Sequence, residues 1–161
     1  MTHPDREIER SLAVLVGLEI SGVSHAADML TLSFGPLRTV TTRRGTTKQV
    51  GAWALHVQCR WTIERADHVL ATHSDFGGSD DQINQMTEEI RALVVASVPA
   101  TVADVQAGES GGVSLVLSKG LQIVITPDSI ADGEDWRFFT PSGDGEHLVI
   151  VGDTVIRESL S

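Results

Sequence analysis

From residue 53 to residue 63 every odd position is apolar (Trp53, Leu55, Val57, Cys59, Trp61, Ile63). The even positions Ala54, His56, Gln58, Arg60, Thr62 and Glu64 are mostly polar. Six successive alternations predict one half-buried strand in an antiparallel sheet. A slip of one residue would expose two tryptophans, so its register should be firmly set. The same period of two predicts strands over about 18–24 and 29–35, with Leu30, Leu32 and Phe34 sharing one face. A Thr/Val-rich β-prone stretch follows, interrupted at Arg43-Arg44-Gly45. A strand over about 67–73 is placed to pair back onto the 53–63 segment.

The period lengthens in two places. Pro4 suits a first helical position, Ile8, Leu12, Leu15 and Val16 recur at helical spacing, and Gly17 can end the run, which predicts a helix over 4–16. Ser79 with Gln82 three residues on is a capping-box arrangement, and Asp80 and Asp81 suit the positive end of the helix dipole. Ile83, Met86, Ile90, Leu93 and Val94 then line one face, and Pro99 disfavours helix at Val98. The second predicted helix therefore covers about 80–97. Beyond it, "VSLVLSKGLQIVI" reads as a hairpin turning at Lys119-Gly120, and "DWRFF" and "HLVIVG" as two more strands joined by "TPSGDGE". There is no regular β-α-β alternation. The expected fold is one α+β domain over 1–161, a mostly antiparallel curved sheet with two packed helices.

The chain has 161 residues, enough for one domain with a substantial core. No apolar run approaches the roughly 20 residues that span a bilayer, and "MTHPDREIER" has no apolar signal region, so a cytoplasmic protein without membrane contact is expected. The lone Cys59 excludes an intrachain disulfide and a multi-cysteine metal cluster. Charge is uneven: residues 1–60 hold 7 Lys/Arg and 5 Asp/Glu, a balance of +2, while residues 61–161 hold 5 and 17, a balance of −12. A net charge of −10, no tyrosine and few aromatic residues argue against nucleic acid, whose phosphates such a field repels.

Motifs for catalysis are weak. "GESGG" at 108–112 matches G-x-S-x-G, but Ser110 precedes an alternating strand and not the helix that presents an esterase serine. "DFG" at 75–77 stands without any other kinase element, and Asp75, Gly77 and Gly78 read as a loop before the helix. The six histidines show neither H-x-x-x-H nor H-x-H spacing, so neither a metal nor a cofactor is expected. Two surfaces remain. His56, Gln58 and Arg60 share one side of a strand about 7 Å apart. If the sheet curves over them they line a ligand pocket, with His147 a further member, and otherwise they are an ordinary solvent face. The acidic loops carrying Asp132, Glu134, Asp135, Asp144 and Glu146, with Trp136 as an aromatic anchor, would suit a basic partner protein.

"ADMLTLSFG" (27–35), "WALHVQCRW" (53–61) and "EDWRFFTPSGDGEHLVIVG" (134–152) resemble stretches that recur in this order in a family of small uncharacterised bacterial, mainly actinobacterial, proteins. The WALHVQ-type strand is the most specific part. The resemblance implies a bacterial, cytoplasmic, one-domain protein and lends no catalytic residue, since no activity is known for the group. Three functions compete. The first is a non-enzymatic, immunity- or antitoxin-like accessory protein that binds a basic partner. The second is a ligand-binding or enzymatic pocket at His56, Gln58 and Arg60. The third is a homo-oligomer paired through sheet edges.

Overall fold

A computed structural model describes residues 4–96, 98–127, 134–141, 146–151 and 154–158. Among the described residues the fold is α+β, with antiparallel sheets and two α-helices. The N-terminal helix α1 spans Pro4–Leu12 and tightens into a 3-10 turn at Ala13–Leu15, where the predicted helix ran on to 16. Gly17, at φ +92°, then turns the chain away, a conformation that costs glycine little. Ile8, Leu12 and Leu15 are buried as their spacing requires.

Seven strands follow: β1 (Ile20–Ala26), β2 (Met29–Phe34), β3 (Arg38–Thr41), β4 (Thr47–Val50), β5 (Trp53–Val57), β6 (Arg60–Arg65) and β7 (His68–Thr72). Helix α2 spans Asp80–Val94, slightly shorter than expected, and begins in the anticipated capping box. Gln82 N–H donates to Ser79 Oγ at 3.3 Å, and Ser79 N–H to Gln82 Oε1 at 2.9 Å. Six strands complete the described chain: β8 (Val102–Ala107), β9 (Val113–Leu117), β10 (Leu121–Thr126), β11 (Trp136–Phe139), β12 (His147–Val151) and β13 (Thr154–Glu158). The β9–β10 hairpin turns at Lys119 and Gly120 as its sequence predicts. Strands β8 and β13 add to the predicted set. A bulge between Val102 and Asp104 breaks the alternation of β8, and β13 is an edge strand with a mainly exposed pattern.

The strands form a six-stranded sheet (β1-β2-β5-β11-β12-β13), a five-stranded sheet (β7-β6-β10-β9-β8) and the separate ribbon β3-β4. One contiguous core joins both large sheets and both helices. It contains Leu30, Leu32, Phe34, Leu55 and Phe138 from the first sheet, Trp61, Ile63, Leu115 and Ile123 from the second, and Ile83, Ile90 and Val94 from α2. Burying an aliphatic or aromatic side chain of this kind contributes about 1.5–3 kcal/mol each.

The single strand expected over 53–63 is therefore two strands in different sheets. The chain bends at Gln58 and Cys59, whose N–H groups both donate to the Asp135 carbonyl, at 2.8 and 3.1 Å. The alternation runs straight through the corner because both sheets turn their inner faces to the same core. Leu55, Val57, Cys59, Trp61 and Ile63 are all at most 1 % exposed. At a second junction Ile20 N–H donates to Ala100 and Val102 N–H to Leu18, bringing β1 against β8. Gly51, just before β5, lies so close to β2 that a Cβ there would sit 2.9 Å from the Phe34 carbonyl oxygen.

Candidate functional site

The outer face of the six-stranded sheet carries a polar cluster. In the ladder His56 of β5 lies between Thr31 of β2 and Arg137 of β11. The Arg137 guanidinium donates from Nε to Glu134 Oε2 at 2.9 Å and from Nη2 to Glu134 Oε1 at 2.5 Å, a two-point contact on one carboxylate. Its Nη1 reaches Glu158 Oε1 at 3.3 Å and His147 Nδ1 at 2.8 Å. A guanidinium only donates, so His147 Nδ1 accepts and the ring proton sits on Nε2. Phe139 separates the two histidines. Its ring stacks on His147 with centroids 4.3 Å apart and meets His56 edge to face at 4.8 Å.

Burial first, and the Arg137 charge second, hold both imidazoles below the ordinary value of 6.5. Lys48 of the β3–β4 ribbon adds a smaller push on His56. The hydrogen bond and charge of Glu134 raise Arg137 still further above its already high value. At neutral pH the cluster presents two uncharged imidazoles around a phenyl ring, beside a guanidinium already engaged by two carboxylates. Such an arrangement clamps β5, β11, β12 and β13 together. Its imidazoles can accept or donate a hydrogen bond to a neutral ligand. No group of three or more metal-ligating side chains occurs among the described residues.

The structure thus brings His56 and His147 together and sets Gln58 and Arg60 apart. Gln58 is exposed at the corner between the sheets, and Arg60 opens β6 in the other sheet. Arg137, Phe139 and Glu158 were not anticipated as members. Arg137 and Phe139 sit at the half-buried positions of "WRFF", but the pairing of β11 with β5 that puts Arg137 beside His56 is non-local. Glu158 enters through edge strand β13.

The aromatic anchor expected of the acidic partner surface is corrected. Trp136 is fully buried, its indole N–H donating to the Gly111 carbonyl at 2.9 Å, so it anchors the glycine-rich turn at 108–112 and offers no contact area. Asp135 is 7 % exposed, with its backbone tied to both neighbouring strands. Glu134 is committed to Arg137, and Glu146 alone of the described members is exposed. Asp132 and Asp144 lie outside the described residues. Ser110 takes a left-handed conformation (φ 53°) in a short turn that leads into β9, and Asp75 accepts the Thr72 N–H in a capping box, so both motif matches are turn structure.

Among the described residues, exposed acidity gathers around α2. Residues 67–94 hold six Asp/Glu (Asp67, Asp75, Asp80, Asp81, Glu88, Glu89) against one Arg, a balance of −5. Asp67, Asp80, Asp81, Glu88 and Glu89 are exposed, with Glu88 paired to Arg91 at the surface. Of these, Glu89 lines two adjoining hollows along α2, which also share Met86. One, of about 370 Å³, is polar and includes Ser74, Asp75, Gln82 and Gln85. The other, also about 370 Å³, is apolar and includes Leu70, Ala71, Ile90 and Leu93.

No protein-family model, curated protein or solved structure matches this chain. Among the described residues no helix is long and apolar enough to cross a membrane.

Proposed function

We propose that this protein is a non-enzymatic binding protein, of the kind an immunity or antitoxin-like accessory represents, and that it holds a basic partner protein on the acidic face of α2. The observation that carries this reading is the −5 balance of residues 67–94, with Asp80, Asp81, Glu88 and Glu89 on α2, Asp67 in the turn between β6 and β7, and Asp75 in the turn before α2. A field of one sign steers an oppositely charged partner and speeds its encounter. The histidine–arginine cluster supports a small-ligand site less well, because Arg137 is already engaged by Glu134 and Glu158.

Native mass spectrometry of the protein, purified gently from its own cells, tests the reading. A stoichiometric basic protein should accompany it at low salt. In the double variant Asp81→Asn/Glu88→Gln that protein should associate more slowly and with weaker salt dependence. A lone chain at low salt, or a partner indifferent to both salt and these substitutions, overturns it.

A further inference from the structure

We infer that the groove between β7 and α2 receives an amphipathic basic segment of the partner, its apolar side chains seated between Leu70 and Leu93 and its Lys or Arg residues beside Glu89 and Asp75. This rests on the proposed binding function and deepens it. The ladder between β6 and β7 pairs Ile63 with Ala71 and Glu64 with Val69, so Leu70 is an extra residue, a β-bulge. The bulge frees Leu70 from the alternation, and it lines the hollow against α2 while still 38 % exposed. Val69, beside it on the same edge strand, is 57 % exposed. On the helix side Met86 and Leu93 are only partly buried, and Ala92 is a small exposed residue at the rim.

The occupant follows from this composition. A purely charged partner would leave Leu70, Met86 and Leu93 in water, and a purely apolar one would desolvate Glu89 and Asp75 without a counter-charge. A segment with apolar residues on one side and cations on the other satisfies both, by the helix-in-groove mode of recognition. The apolar hollow and the polar hollow adjoin at Met86 and Glu89, so a single segment lying along α2 spans them.

The probe is a fluorescein-labelled peptide of leucine and lysine with leucines at helical spacing, compared with an isomer of the same composition and charge whose leucines are scattered. Anisotropy titrations against the full-length protein should show the patterned peptide binding roughly tenfold more tightly than its isomer. Leu70→Ser removes apolar floor, and Ala92→Gln blocks the rim without changing charge. Each should abolish that preference while circular dichroism shows an unchanged fold. If both peptides bind alike and only Asp81→Asn/Glu88→Gln weakens them, the groove is overturned and the acidic-face reading stands. If the preference survives both groove variants, or neither peptide binds, the groove is likewise overturned. The acidic-face reading is then judged by the native partner alone.

Discussion

Two fully buried tryptophans differ in what their indole N–H meets, and that difference predicts a measurable inequality. Trp136 donates its indole N–H to Gly111, whereas among the described residues the indole N–H of Trp61 meets no acceptor. Replacing either by Phe removes the same atoms from a core position at 0 % exposure, so the packing losses should be similar. Trp136→Phe additionally loses a buried hydrogen bond and strands a carbonyl, a cost of about 1–3 kcal/mol. Trp61→Phe instead removes an unmet donor and recovers part of a penalty of similar size. Trp61→Phe should therefore be the more stable of the two by about 2 kcal/mol or more. For a chain of this size that separates the melting temperatures by roughly 4–8 °C. Calorimetry, with urea titrations followed by far-UV circular dichroism, provides the comparison, and unchanged m-values would confirm that the denatured states match. Equal losses, or a greater loss for Trp61→Phe, would refute the hydrogen-bond argument. Folded Trp136→Phe protein should bind any partner as the parent does, because the side chain is not at the surface.

The histidine cluster makes stability depend on pH. Both imidazoles are held below 6.5 in the folded chain, so the unfolded state takes up protons first. Their contribution is fully present above pH 6.5 and is lost as pH falls from there through the folded values. Protonating His147 would also set an imidazolium against Arg137. Urea midpoints should fall on going from neutral to mildly acidic buffer, with a shallower slope in His56→Asn/His147→Asn; an identical slope in that variant would count against the cluster. Gly51→Ala should cost about 1–3 kcal/mol, because the new Cβ meets the Phe34 backbone at 2.9–3.0 Å and neither strand can yield easily. A urea midpoint matching the parent's would show that the close approach of β2 relaxes without penalty.

The wet and dry sides of most segments can be read from residue spacing alone. The Leu30–Leu32–Phe34 face, the inward positions from Leu55 to Ile63, and Ile83, Ile90 and Val94 of α2 are legible from spacing, since a strand repeats every two residues and a helix every 3.6. The Ser79 cap was legible for the same reason, its partner Gln82 being only three residues away. Which strand lies beside which emerges from the packing of the whole chain. That packing divided 53–63 between two sheets, set Arg137 next to His56, stacked Phe139 on His147, buried Trp136 and Asp135, and turned Leu70 into a bulge facing α2. Periodicity reports a residue's relation to its own segment and is the same whichever sheet the segment joins. The neighbours across a ladder come from distant parts of the chain, selected by how all the buried faces close on one core.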